Sequence, residues 1–281
     1  MSALEPVVAL VRRWSVDWLN GQHPEVCDEL LAPGYTLRIG GYLLGPREEY
    51  VPATLTQLSR YPGLVVTTHQ LVTDGERVAL WFSEHGASVR LGGRAAVWSG
   101  VALFRWDGTA LTGCFSEEDY YARRRQLDSA VCDPVDPPAA APWDERAQPA
   151  DPAAEAVARA WLDGADLRAA PVVCDDEHVG QPAERLLEVT GCEVHELFSA
   201  GDQVAFHVAQ SGRYLGGLAG LDDLIGEAAV LEVAGLVTVR HGAVVGGRVF
   251  RDRLGTARAL RERATQAKTG AATSNSNSAS S

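Results

Sequence analysis

Residues 112–127 read TGCFSEEDYYARRRQL and residues 246–260 read GGRVFRDRLGTARAL. Each is a strand running into an Arg-rich helix, with an Asp at the junction and a Leu eight residues after that Asp (Asp119 and Leu127, Asp252 and Leu260). This repeat constrains the fold more than any single motif, because each copy must close its own sheet over its own core. Other identities keep the same order. Trp18-Leu-Asn-Gly21 returns as Trp161-Leu-Asp-Gly164 at an offset of 143, and residues 73–79 (TDGERVA) return as 199–205 (SAGDQVA) at 126. Leu91-Gly-Gly93 returns as Leu215-Gly-Gly217 at 124, and Ala95-Ala-Val97 as Ala228-Ala-Val230 at 133, the offset that also relates the two Asp residues. The second copy is thus 17 residues shorter in its helical half and nine longer at its Gly-Gly hairpin, where 218–226 are inserted.

The 281 residues suffice for two domains of roughly 100–200 residues each, and 46% hydrophobic content gives each a core. The expected organisation is a first domain over 1–130, a Pro/Ala-rich linker over 131–151, a divergent copy over 152–267 and a tail over 268–281. That tail (KTGAATSNSNSASS) has too little apolar surface to offset its ordering entropy, so disorder is expected there. A net charge of −12 argues against nucleic acid, which demands clustered cations. No apolar stretch approaches the roughly 20 residues of a membrane helix, and no leader-like segment opens the sequence. With five cysteines and no CxxC pair, a soluble, reducing, cytoplasmic setting is expected, the cysteines serving as small buried hydrophobes. No two of the seven histidines share ligand spacing with each other or with a cysteine, so neither a metal nor another cofactor is expected.

Apolar residues Leu4, Val7, Val8, Val11, Trp14, Trp18 and Leu19 form one helical stripe, with Gly21 expected as a left-handed stop. Short helices are expected over 24–31 and 46–60, the second bent or broken at Pro52. From residue 64 the pattern turns to β: strands over 64–72, 77–84, 95–106 and the closing strand, joined by Asp74-Gly75 and Asp107-Gly108 hairpins. A helix over 152–164 opens the second copy.

Helices followed by a strongly curved antiparallel sheet, closed by a strand with an acid at its end, resemble the nuclear-transport-factor-2-like fold. Within it the first domain resembles the SnoaL-like polyketide cyclases through WLNG (18–21), GERVALWF (75–82), GGRAAVWSGVALFRWDG (92–108) and CFSEEDYYARRRQL (114–127), with Phe115 four residues before Asp119. The resemblance covers 4–127 well and 152–262 poorly. It implies an α+β class: two tandem cone-shaped domains, each with helices packed on a curved antiparallel sheet. It implies a hydrophobic small-molecule substrate held in the cone, and cofactor-free ring closure of a polyketide-derived chain in bacterial secondary metabolism, antibiotic biosynthesis included. Asp119 would be the general acid/base, Asp252 its counterpart. The related limonene-epoxide-hydrolase-like enzymes carry an Arg-x-Asp pair on one strand. Here the corresponding strand offers only Arg105 and Asp107 beside Gly108, so epoxide opening has less support, and a non-catalytic binder or scaffold is the third reading.

Phe115 and Glu117 are expected on the face of Asp119, where an apolar ring and a second carboxylate would both raise its pKa. Asp119 could equally cap the helix over 120–127. Asp252 would lie beside Phe250 and Arg248, whose charge would lower its pKa. The second copy then reads as a degenerate partner whose sheet packs on the first, an intrachain pseudo-dimer, with further homodimerisation left open. His85 would stand at the cone mouth, with His69, Tyr35, Tyr50, Trp81, Trp98 and Phe115 as pocket wall. His195 and His207 fall on strands of the second copy, where a hydrogen-bonded structural role is expected. Arg123, Arg124 and Arg125 read as a solvated helix face.

Overall fold

The computed structural model describes residues 4–164 and 166–277, with side chains as far as residue 266. Helix α1, Pro6–Arg13, buries Val7, Val8 and Val11 and continues as a wider π-helical stretch, Trp14–Asn20, that buries Trp14, Trp18 and Leu19. Gly21 ends it with a right-handed φ of −75°, and Gln22 takes the positive φ of 55° instead. Glycine is needed at 21 for space: a Cβ would sit 2.6 Å from the Asp17 carbonyl oxygen. The expected second helix is a 3-10 turn, Pro24–Val26, followed by the single turn α2, Cys27–Leu30. Helix α3, Arg47–Leu58, runs unbroken through Pro52. The carbonyl deprived of a partner there belongs to exposed Glu48, where water can serve it.

The first sheet comprises β1 (Leu31–Ile39), β2 (Tyr42–Leu44), β3 (Val65–Thr73), β4 (Arg77–Ser88), β5 (Arg94–Trp106) and β6 (Leu111–Glu118). Its spatial order is β2-β1-β6-β5-β4-β3, antiparallel except where β1 lies parallel to β6. After α4 (Tyr120–Ser129) and α5 (Pro152–Asp163) comes the second sheet: β7 (Val173–Cys174), β8 (Leu187–Ala200), β9 (Gln203–Tyr214), β10 (Ala228–Arg240) and β11 (Ala243–Arg251). Its order is β7-β11-β10-β9-β8, and among its described strands the one parallel pair, β7–β11, again involves the closing strand. The same order with the same parallel exception is the repeat made visible. Helix α6, Arg253–Asn277, closes the described chain. It extends through the first part of the segment expected to be disordered, and residues 278–281 lie outside the described residues.

Each sheet has two covered faces. One face of the first sheet packs against α1 to α3 around Trp18, Tyr35, Tyr50, Phe82 and Phe104. One face of the second packs against α5 through Ala154, Ala158 and Leu162. The two remaining faces pack on each other through Val72, Ala79, Val101 and Leu103 from the first sheet and Phe198, Ala205, Ala234 and Leu236 from the second. These residues are repeat partners. Val72 and Phe198, and Ala79 and Ala205, are related by 126; Val101 and Ala234, and Leu103 and Leu236, by 133. Burying one such large side chain contributes roughly 1.5–3 kcal/mol, so the sheet–sheet layer is a core in its own right. The segment between α4 and α5 lies along β3 instead of spanning free: Ala139 N–H donates to the Thr68 carbonyl and Gln148 N–H to that of Thr73, both at 2.9 Å.

Both junction Asp residues cap the helix that follows. Asp119 accepts from Ala122 N–H at 2.9 Å, and Asp252 from Gly255 N–H at 2.8 Å. Gly255 has no room for a side chain, since a Cβ would lie 1.8 Å from Asp252 Oδ2. Gly255→Ala is expected to disrupt the α6 cap and cost about 1–2 kcal/mol, measured by urea unfolding of the full chain; an unchanged midpoint would show that the cap carries no stability.

Candidate functional site

Strand β6 ends in two acids, Glu117 and Glu118, with Asp119 directly after it, and the pleat sends neighbours to opposite faces. Cys114 packs in the helix-side core and Phe115 in the sheet–sheet layer. Glu118 therefore points with Cys114 and Glu117 with Phe115.

Glu118 accepts the Trp98 indole N–H at 2.9 Å within the first half's helix-side core. Glu84 of β4 and Tyr120 are close enough to feel its charge. Burial is the largest cause of the upward shift of both carboxyls, and Glu118 adds to it at Glu84 by its charge. Two buried carboxyls side by side resist ionising together, so the pair favours holding one proton between them. The charge of Arg123 on α4 acts on both carboxyls, and its guanidinium lies 4.2 Å from the Tyr120 ring centre, 4.9 Å from that of Trp98 and 5.4 Å from that of Tyr61. Arg123 Nη1 is buried without a hydrogen-bond partner. The arrangement thus combines a carboxyl pair that favours one shared proton with an unspent cationic donor, and Glu84 is only partly covered. None of these polar residues except Trp98 was expected in the site. The signal available was the alternation of β6, which places 118 and not 119 on the Cys114 face.

Because both carboxyls are pushed above the usual Glu value of about 4.3, their contribution to stability is fully present below that pH and is lost as pH rises through their folded pKa values. Glu84→Gln is expected to flatten the fall in stability across that window and to exceed the parent in stability above it. Urea unfolding at a series of pH values measures this; an identical pH slope in both proteins would refute the shared-proton assignment.

The repeat does not preserve the pair. At the offsets of 126 and 133, Glu84 corresponds to Gln210, Trp98 to Leu231 and Glu118 to Arg251. Gln210 Nε2 donates to the Leu162 carbonyl at 3.3 Å, and Arg251 is paired with Asp175 at 2.6 Å.

The expected site residues divide between the two faces. Tyr35, Tyr50 and Trp98 lie in the helix-side core, where Trp14 and Trp18 indoles donate to the Tyr50 hydroxyl at 3.3 and 3.4 Å. Trp81 and Phe115 belong instead to the sheet–sheet layer. His85 Nε2 and His69 Nε2 both meet Ser83 Oγ at 2.8 Å, and His69 Nδ1–H donates to the Pro137 carbonyl at 2.9 Å. His69, Trp81 and His85 thus stand on the outer face with the linker, away from the cone. Glu117 Oε1 accepts from Gly40 N–H and meets His207 Nε2, each at 3.0 Å.

Asp119 is 2% exposed and bound by Arg253 Nη2 at 2.6 and 2.7 Å, so both its oxygens face the second half and not the cone. Burial pushes its pKa up to about 6 against the pull of Arg253, with Asp175 and Asp176 adding to the rise. Asp252 is also shifted up, by burial, because Arg248 pairs with Asp136 at 3.1 Å and stacks 5.0 Å from the Trp81 ring centre instead of meeting it. The arginine run is likewise not a solvated face: Arg125 pairs with Asp133 and Asp176, and only Arg124 is exposed. Helix α4 lies between the halves, so two of its three arginines turn inward.

The larger clefts open elsewhere. One of about 610 Å³ is lined by Arg77, Arg105, Trp106 and Glu196. One of about 430 Å³ lies between α4 and α6 at Tyr121, Arg125 and Leu254.

No protein-family model and no curated protein matches this sequence. Solved structures do. A protein provisionally assigned as a SnoaL-like polyketide cyclase, from Jannaschia sp. CCS1, is 16% identical; the match covers 46% of this chain and 96% of that one, at a TM-score of 0.42. One provisionally assigned as a polyketide cyclase, from Acidithiobacillus ferrooxidans, is 22% identical over 44% of this chain and 93% of its own, at 0.38. TsrD from Streptomyces laurentii is 23% identical over 43% and 93%, at 0.38. The likeness is one of fold. Each of these matches spans less than half of this chain and nearly all of its own. No described helix is long and apolar enough to cross a membrane.

Proposed function

We propose that the chain is a cytoplasmic acid/base enzyme that closes a ring on a polyketide-derived substrate, working in its first half without a cofactor. The observation that carries this reading is the Glu84–Glu118 pair, two coupled carboxyls raised by burial within the field of Arg123, which stacks on Trp98. Aldol closure needs a base for an activated α-proton, an acid for the developing alkoxide, and a stabiliser of negative charge on oxygen. Ionised Glu118 is suited to the first role, protonated Glu84 to the second, and the unpartnered Nη1 of Arg123 to the third. Trp98 and Tyr61 would bound the substrate. The second half, with Gln210 and Arg251 at the equivalent positions, acts as a pseudo-dimeric support.

A non-catalytic scaffold is the second reading, favoured by the way Trp14, Trp18, Tyr35, Tyr50 and Phe104 fill the first half's core. Incubating the full chain with a poly-β-ketoacyl thioester and following products by mass spectrometry separates the two. Enzymatic formation of a cyclised isomer, or of that ring less one water, supports the enzyme. Absence of turnover over a panel of chain lengths would remove it and leave the scaffold. With an epoxide-bearing analogue in its place, solvent oxygen in a newly formed hydroxyl would mark epoxide opening instead.

A further inference from the structure

Three side chains of the second sheet converge on the sheet–sheet layer from three different strands. His195 lies on β8, His207 on β9 and Glu232 on β10, and one ligating atom of each lies within 4.8 Å of the others. His195 Nδ1 is 3.1 Å from His207 Nδ1 and 3.6 Å from Glu232 Oε2. Nitrogen and oxygen ligands about 2.0–2.1 Å from a tetrahedral zinc stand roughly 3.3 Å apart, so these separations bracket that edge. We propose that His195 Nδ1, His207 Nδ1 and Glu232 Oε2 bind one divalent transition-metal ion of the zinc class.

Four further observations support the site. Glu232 Oε2 is buried and has no hydrogen-bond partner, in a residue 9% exposed. A buried carboxylate oxygen left alone is costly, and a cation would satisfy it. His207 is fully buried, and its other nitrogen, Nε2, meets Glu117 Oε1 at 3.0 Å. Donation from Nε2–H to a carboxylate fixes the tautomer that leaves the Nδ1 lone pair free, the usual outer arrangement of a metal-bound histidine. His195 occupies a β-bulge, the register of β8 against β9 shifting between Val194 and Glu196, and such bulges re-aim a side chain. Finally, the carboxylates of Glu117, Glu193 and Asp252 act on the cluster, with Arg38 the cation that acts on all three of its residues.

The repeat makes the site specific to the second half. His195 corresponds to His69, also at a bulge, but Trp81 stands where His207 does and Ser99 where Glu232 does. Three protein ligands leave one position for water. Through Glu117, which also accepts from Gly40 N–H, the ion would tie the second sheet to β6 and the β1–β2 turn of the first.

The test uses the full chain, stripped with a chelator and titrated with Zn²⁺ and Co²⁺ against a chromophoric competitor. One ion per chain is expected, with the visible d–d bands of four-coordinate Co²⁺ and no thiolate charge-transfer band. Glu232→Gln and His195→Asn, close in size to the originals, are expected to weaken Zn²⁺ binding at least 100-fold. Glu117→Gln should weaken it about 10–100-fold, and His241→Asn, at an exposed turn, should leave it unchanged. Should a variant fail to fold, the wild-type spectrum and stoichiometry decide alone. Binding below one ion per chain, a thiolate band, or affinities unchanged in folded Glu232→Gln and His195→Asn would overturn the proposal.

Discussion

Glu118→Gln is expected to lower kcat for ring closure by about 10²–10⁴-fold, the range for loss of a positioned general base, with KM little changed. The reason is local. Glu118 is the member of the pair proposed as base, and an amide of the same size keeps an acceptor for the Trp98 N–H while removing the basic oxygen. Gly100 lies against it so closely that a Cβ there would be 2.8 Å from Glu118 Cγ, so the replacement must stay close to the Glu conformation. Asp119→Asn provides the contrast. Asp119 is held by Arg253 on the other side of the strand, so its loss should reduce stability and spare turnover. Steady-state kinetics on the same thioester, with thermal denaturation of both variants, give the comparison. Full activity in Glu118→Gln together with a dead but well-folded Asp119→Asn would reverse the assignment.

Arg253→Met is expected to cost about 3–5 kcal/mol, the range for breaking a buried ion pair by removing one partner. The guanidinium holds both oxygens of Asp119, Asp176 Oδ1 at 3.0 Å and Asp175 Oδ2 at 3.4 Å, and stacks 4.7 Å from the Tyr121 ring centre. Methionine fills much of the volume and leaves buried carboxylates from both halves with less compensating charge. At roughly 2–4 °C per kcal/mol for a chain of this size, the midpoint should fall by roughly 6–20 °C. The double variant Asp119→Asn with Arg253→Met should recover part of that loss, because residues in direct contact do not act additively. A loss under about 1 kcal/mol, the value of an exposed pair, would mean that this junction does not hold the halves together.

The strands were legible because each copy alternates cleanly and is punctuated by Gly turns; the span expected over 95–106 is observed as Arg94–Trp106. The cap at Asp119 was legible too, as one of two roles open to it. What alternation could not tell was which face belonged to which core. Phe115, Trp81 and His69 read as pocket wall because a strand with two buried faces shows the same pattern whether a face meets helices or a second sheet. The same ambiguity bears on Asp119 by a single residue: one step along the chain separates Glu118, in the helix-side core, from the group that meets Arg253.

The sequence alone determined that the chain is one α+β unit written twice, since offsets of 126 and 133 already pair the residues that later meet across the sheets. Tertiary structure decided the chemistry. Glu84 and Glu118 come from strands on either side of β5, and His195, His207 and Glu232 from three strands and one bulge. Local spacing cannot report such groups, because strand pairing and the packing of one sheet on another set the few ångströms that separate them.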